Sequence, residues 1–363
     1  MPEPGSDQIA RLRLIRSENI GPITYFQLIA RFGSAAAALE AIPDLAARGG
    51  GRAPRLASRS SIELEMERVA AIGARYLFLG QGLYPPLLAE LETAPPALVV
   101  RGHAGLLDRP AVAMVGARNA SAAACRFART LAQALGEAGI VIVSGLARGI
   151  DSAAHDGSLD SGTIAVVAGG IDIFYPPENE ARQRSIGELG LVVSEQPPGV
   201  EPRSRHFPSR NRIIAGLALG TLVVEAAPRS GSLITARCAA ESGREVMAVP
   251  GSPLDPRAQG CNQLIREGAT LVQSAGDVLE AISPARIRPF RQPERDYARP
   301  EIAAEADDES RAAIAGLLNS TPVPVDELVR QSGLAPAIVQ TVLLELELAG
   351  RLERHAGGRV SLM

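Results

Sequence analysis

The chain has 363 residues, 46% of them hydrophobic, 21% charged and only 3% aromatic, with a formal net charge of -3. That length suits roughly two or three compact units, and the charge excludes a molecule that meets nucleic acid through its overall field, so any basic site must be local. Three cysteines without paired spacing (Cys125, Cys238, Cys261) and four scattered histidines (His103, His155, His206, His355) argue against a disulfide scaffold and against a metal centre, and no cofactor is expected. Residues 1–17 lack the apolar core of an export signal, and the run 163–168 is far too short for a membrane span. A cytoplasmic protein that does not enter the membrane is expected.

In chain order, residues 1–72 read as a small helical domain of the sterile-alpha-motif or helix-hairpin-helix type. In "ENIGPITYFQLIARFGSAAAALEA" a Gly-Pro turn precedes an amphipathic run with Phe26, Ile29, Ala30 and Phe32 toward one side. Hairpins of this kind sometimes hold DNA phosphates, but only Arg31 is basic near the turn, which favours a packing module. Residues 73–283 alternate short apolar strands, at 97–101, 111–115, 140–144, 163–168, 191–194, 221–225, 245–249 and 270–272, with helices at 120–138, 151–160, 211–218 and 232–242. The strands are continuous Val/Ile/Leu runs, which predicts an α/β domain with a doubly wound parallel sheet covered on both faces.

Residues 284–308, rich in proline and charge, read as a linker, and 309–363 read as helix, helix, helix and a Gly-Gly hairpin, the pattern of a winged-helix domain. The third helix of that domain carries Glu345 and Glu347 and no lysine or arginine, while Arg351, Arg354 and Arg359 lie only in the turn and wing. Major-groove reading is therefore disfavoured and a protein-protein or auxiliary role expected.

Ligands of parallel sheets sit beyond the carboxyl ends of the strands, where this sequence places "GARNAS", "GLARGID", "GGIDIFYPPEN" and "PRSGSLITA". Glycines at strand-to-helix turns let backbone N–H groups approach phosphate, and each helix N-terminus adds partial positive charge. "GARNAS" lacks the later glycines of a dinucleotide fingerprint and no Gly-Lys-Ser/Thr phosphate loop occurs, so a mononucleotide or a polynucleotide backbone fits better than NAD or ATP. Gly116 and Arg118 stand at the first turn, Arg148 with Asp151 at the second, and Ser230, Gly231 and Ser232 at the last. Arg118 either grips an anion or caps its own sheet edge in a salt bridge. Asp151 neutralises Arg148 or caps the following helix, and His155 reads as a hydrogen-bonded packing residue. Glu225, at a strand end, is the one candidate base, in a chain without a nucleophile elbow, HExxH or a convincing carboxylate pair.

"RHFPSRNRIIAGL" concentrates the remaining signal. Arg203, Arg205, Arg210 and Arg212 surround Phe207, with Asn211 among them, in a chain of only seven phenylalanines. An aromatic face with flanking arginines suits single-stranded nucleic acid, whose bases are free to stack. Phe207 is equally suited to anchor a helix start in the core beside solvated arginines. Ile213, Ile214 and Leu217 are core in either case.

These segments, together with "VGARNAS", "SGLARGIDSAAHDGSL", "SEQPPG" and "GCNQLIREGATLV", resemble the DNA-processing protein A family (DprA, also called Smf) over nearly the whole chain. The resemblance implies an extended Rossmann-like core between a helical N-terminal domain and a C-terminal winged helix. It implies a homodimer that binds single-stranded DNA without sequence preference, protects incoming strands in natural transformation, and loads the RecA recombinase where single-strand-binding protein would obstruct it. The family's site uses the arginine of its GxR turn, which falls on Arg118, and a basic-aromatic segment, here Arg203, Arg205 and Phe207 followed by Arg210 and Arg212. Relatives often carry lysine where this chain has Ser204. The family's dimer and recombinase surface points to Asn262, Ile265, Arg266 and Leu271, although Leu264 and Ile265 are equally suited to ordinary core. Two rivals remain at this level. A phosphoribohydrolase-like nucleotide-processing enzyme would carry a PGGxGT loop where this chain has "PRSGSL". A duplex-reading transcription regulator is opposed by the acidic third helix.

Overall fold

The computed structural model describes residues 5–287, 305–355 and 357–363. The chain forms two compact units, one of Glu65–Pro293 and one that joins Met1–Leu64 to Glu294–Met363.

The N-terminal helices α1 (Ser6–Arg16), α2 (Pro22–Phe32) and α3 (Ala35–Arg48) follow their local signals. Pro22 occupies the first turn of α2, where its missing N–H is no loss. Gly33, at φ 74°, ends α2 in the left-handed conformation, and the Ser34 side chain caps α3 by accepting from the Ala37 N–H. The buried stripe of α2 is Thr24, Tyr25 and Leu28, with Phe26, Ile29 and Phe32 only partly covered. The core face is thus rotated from the expected one, because a residue's position against α1 and α3 decides depth, not its hydrophobicity alone.

Helix α4 (Arg59–Ala71) leads into the α/β unit. Its strands are β1 (Arg75–Phe78), β2 (Ala97–Gly102), β3 (Ala111–Gly116), β4 (Val141–Ser144), β5 (Thr163–Val167), β6 (Leu191–Ser194), β7 (Gly220–Val224), β8 (Glu245–Ala248) and β9 (Thr270–Leu271). The intervening helices are α5 (Pro86–Ala89), α6 (Ala122–Glu137), α7 (Ile150–Ser158), α8 (Glu180–Leu189), α9 (His206–Gly216), α10 (Gly231–Glu241), α11 (Gln259–Arg266) and α12 (Ala275–Ile287). The sheet order is β1-β2-β6-β5-β4-β3-β7-β8-β9, parallel from β6 to β9, with β1 and β2 antiparallel at one edge. The parallel strands β4 to β7 are buried at every residue, as strands covered on both faces must be. The short strand β1, which begins on the exposed Arg75, has too little pattern to be recognised locally.

Helix α12 runs to Ile287, four residues past the expected end of the core at 283. Residues 288–304 of the expected linker lie outside the described residues. The winged helix comprises α13 (Asp308–Leu317), β10 (Val323–Pro324), α14 (Val325–Ser332), α15 (Pro336–Leu348), β11 (Leu352–His355) and β12 (Arg359–Leu362), with Asp307 capping α13.

Helix α15 does not present an acidic face to solvent. From Thr341 to Leu348 only Glu347 keeps partial exposure. Glu345 is buried and accepts two hydrogen bonds from Arg311, at 2.8 and 3.1 Å, and Glu347 pairs with Arg354 at 2.8 Å. The far side of α15 is covered by α3, since Leu344 and Leu348 share one core cluster with Leu14, Leu28, Leu39 and Ile42. Gln27 donates to Gln340 at 3.0 Å, and Arg351 donates to the Gly49 carbonyl at 3.0 Å. The "GGG" after α3 allows this approach, because a Cβ on Gly49 would sit 2.2 Å from the Glu345 carbonyl oxygen. Gly49→Ala is therefore expected to destabilise this unit by about 1–2 kcal/mol, seen as a lower urea midpoint. An unchanged midpoint would show that the two helices separate freely.

Candidate nucleic-acid interface

The loops after β3, β4 and β5 converge with the first turn of α9 on one solvent-open cleft. Arg118, Arg148, Tyr175, Phe207 and Arg210 line it, with apolar walls from Val167, Ile173 and Pro202. Helix α9 begins at His206, five residues before the expected start. Phe207 and Arg210 therefore lie one turn apart on the same face. The Arg118 guanidinium carbon stands 5.3 Å from the centroid of the Phe207 ring and that of Arg210 stands 6.0 Å away, both within cation–π range. The half-exposed Tyr175 ring meets Phe207 at 5.7 Å with a 58° tilt.

Beneath the ring the cleft has a polar floor. Asp151 opens α7, fully buried, and its carboxylate accepts from the Gly145 N–H at 3.1 Å and the Ala147 N–H at 3.3 Å. Burial pushes this carboxyl above its ordinary pKa, while Arg210 and the two N–H groups pull it back. Burial lowers the Arg210 pKa to about 10, opposed in part by Asp151. Arg148 instead meets Glu178 at 3.5 Å, an exposed pair, so Asp151 compensates Arg210 rather than Arg148. His155 lies outside the cleft, buried, with its Nδ1 2.7 Å from the Thr163 hydroxyl.

Of the predicted residues, Arg118, Arg148, Phe207 and Arg210 are brought together. Arg203 and Arg205 are exposed at the entry to α9 without lining the cleft. The expectation for Arg212 is revised, because its guanidinium binds Glu195 at 2.5 Å and the Thr93 carbonyl, which leaves little for a ligand. Asn211 donates to the Gly231 carbonyl at 3.3 Å, and the Ser230 and Ser232 hydroxyls bond each other at 2.8 Å at the start of α10, all outside the cleft lining. Gly116 also answers to packing, since a Cβ there would lie 1.9 Å from the Val224 carbonyl oxygen.

The crevice between β3 and β7, where the strand order reverses, is closed by Glu225. Its carbonyl accepts from the Ala117 N–H and its carboxylate from the Ser121 N–H, each at 2.7 Å. Glu225 therefore anchors the start of α6 and is not placed as a base. Sequence reasoning missed Tyr175, although "GGIDIFYPPEN" was recognised as an unusual loop, and missed Gly145, whose importance arises only from the arginine that folds against it.

On the α11 face, Asn262 closes its own loop by accepting from the Gly251 N–H and donating to its carbonyl. Ile265 is half-buried, Arg266 exposed, and Leu271 is 44% exposed on the edge strand β9. Among the described residues no group of three metal-ligating side chains occurs, and no helix is long and apolar enough to cross a membrane.

The family model described as DNA recombination-mediator protein A matches residues 75–283. A DprA-like N-terminal HHH domain matches 5–68 and a DprA winged helix domain matches 298–358. The chain is similar to the DNA processing protein DprA of Streptococcus pneumoniae, at 51% identity over 54% of this chain and 70% of that one. It is also similar to the protein Smf of Escherichia coli, at 40% identity over 77% of this chain and 75% of the other. The X-ray structure of the pneumococcal DprA covers 62% of this chain and 78% of its own, with a TM-score of 0.58 and 44% identity. The Helicobacter pylori DNA processing protein A, whose structure describes a single-stranded DNA binding mode, covers 58% of this chain and 96% of its own, with a TM-score of 0.53 and 29% identity. With its three regions matched in order and all nine strands of its large sheet inside the matched span, the chain belongs to the DprA/Smf family of DNA-processing, DNA recombination-mediator proteins.

Proposed function

We propose that this protein binds single-stranded DNA without sequence specificity through the cleft at the ends of β3, β4 and β5. The observation that carries the reading is the exposed Arg118 set 5.3 Å from the Phe207 ring beside the half-exposed Tyr175. A cation next to aromatic faces holds a phosphate and the neighbouring base together, and only an unpaired strand offers both. The H. pylori relative's single-strand binding supports the same reading. Arg203 and Arg205 extend the positive charge along the entry to α9, whereas Arg212 brackets the helix to the scaffold.

The family resemblance supports a finer role. The protein holds incoming strands in natural transformation and hands them to the RecA recombinase in the presence of single-strand-binding protein. It works as a cytoplasmic homodimer through the face of α11 and β9, where Leu271 is exposed on an open sheet edge. Binding rather than turnover is favoured because the nearby carboxylates, Asp151 and Glu225, are already engaged with backbone N–H groups.

Fluorescence anisotropy with labelled oligo-dT and an equal-length duplex, across a salt series, tests this. Native protein is expected to prefer the single strand. Arg118→Ala is expected to weaken binding and to reduce the slope of log affinity against log salt by about 0.7, the share of one phosphate on a single strand. Preference for duplex, or no binding to either, overturns the proposal and makes nucleotide hydrolysis the next assay.

A further inference from the structure

Arg210 differs from the other cleft arginines. It is 7% exposed, and among the described residues no hydrogen-bond acceptor serves its Nε. Its guanidinium lies so close over Gly145 that a Cβ there would stand 1.4 Å from Nη1 and 2.8 Å from the Asp151 carboxylate. A buried cation with an unused donor is costly unless a ligand supplies an acceptor. The choice of acceptor is narrowed by the surroundings. A phosphate driven to this depth would lose its water among Val167, Ile173 and Phe207 and meet the field of Asp151. Arg118 already offers a solvated place for phosphate at the rim. A neutral carbonyl on a flat ring suits the floor better, since the aromatic walls cover its faces and the arginine fork meets its edge.

We propose that Arg210 reads the edge of one base inserted in the cleft, so that the protein favours bases with a carbonyl acceptor, thymine, guanine and cytosine, over adenine. Adenine would turn an amino donor toward a donor-only side chain. The inference rests on the single-strand reading and adds a bias to it. Most of the strand outside the cleft is still held without regard to sequence.

The test compares oligo-dT, oligo-dA and an abasic strand of equal length, with native protein, Arg210→Lys, Arg210→Gln and Gly145→Ala. Native protein is expected to bind oligo-dT roughly tenfold more tightly than oligo-dA. Arg210→Lys keeps the charge but loses the fork, and Gly145→Ala displaces the guanidinium without removing it. Both are expected to bring the two strands within about twofold of each other while barely changing the abasic strand. Melting curves show which variants remain folded, and Gly145→Ala or Arg210→Lys decides the matter if Arg210→Gln does not. Equal native affinities overturn the inference and leave single-strand binding standing. So does a uniform loss on all three strands in Arg210→Gln with a salt slope lower by about 0.7, which would assign Arg210 to phosphate. Failure to bind any strand overturns the single-strand reading itself.

Discussion

Phe207→Ala is expected to weaken oligo-dT binding by roughly 10- to 100-fold, the worth of one or two stacked bases, with the salt slope unchanged. The ring is half-buried, stands among Arg118, Arg210 and Tyr175, and is not one of the fully covered core side chains. Removing it takes away the face on which a base stacks but leaves the phosphate-holding cation in place. Anisotropy across salt separates the two effects, because lost stacking shifts the line downward and a lost phosphate contact tilts it. Phe207→Leu, which keeps apolar volume without a π face, is expected to bind almost as weakly as the alanine variant. If leucine restores native binding, the ring is only an anchor for the start of α9.

Acid is expected to destabilise the α/β unit through His155. Its Nδ1 faces the Thr163 hydroxyl, which donates to the Ile142 carbonyl at 3.1 Å and so accepts from the ring N–H, and its Nε2 is buried with no hydrogen-bond partner among the described residues. Burial pulls its pKa from 6.5 to about 3, with Arg182 adding to the shift. The folded state thus keeps this imidazole neutral, while the unfolded chain takes up the proton at its ordinary pKa. The unfolded state binds more protons between pH 3 and 6.5, so stability rises with pH in that window. The contribution is complete above pH 6.5 and is lost progressively toward pH 3, by about 1.4 kcal/mol per pH unit once well below 6.5, or about 3 kcal/mol near pH 4. Urea unfolding from pH 7.5 down to 4 measures it as the difference between native protein and His155→Gln, which removes the titration and leaves the carboxylates unchanged. Parallel pH profiles for the two proteins would refute this assignment.

The parallel sheet was legible because each central strand carries its own continuous apolar run, and the winged helix because three helical runs precede a glycine hairpin. Both are local patterns with a fixed period. The antiparallel edge was less visible. Strand β1 is four residues long and begins on exposed Arg75, so its pairing with β2 depends on a partner rather than on its own composition. The start of α9 was placed late because "RHFPS" contains a proline and puts an arginine, not a capping residue, at the N-cap. In the folded protein Pro208 falls in the first turn, where a missing N–H costs nothing. That shift matters for function, since it sets Arg210 one turn from Phe207.

The sequence alone determined which residue types stand at the carboxyl ends of the strands, and the resemblance of those segments to one family. It identified Arg118 by its place at the first strand-to-helix turn, and Phe207 with Arg210 because a phenylalanine among clustered arginines is conspicuous in a chain with so few aromatics. Only the tertiary structure decided which of the neighbouring arginines are free to bind. Arg212 is held by Glu195 and the Thr93 carbonyl, and Arg148 faces Glu178, through partners far away in the chain that no spacing rule connects. It likewise decided that Tyr175 completes the cleft, that Glu225 closes the crevice between β3 and β7, and that α3 covers α15. The physical reason is common to all of these. Periodicity records what one segment does to itself, whereas charge compensation, close backbone approach and burial depend on which distant segments meet.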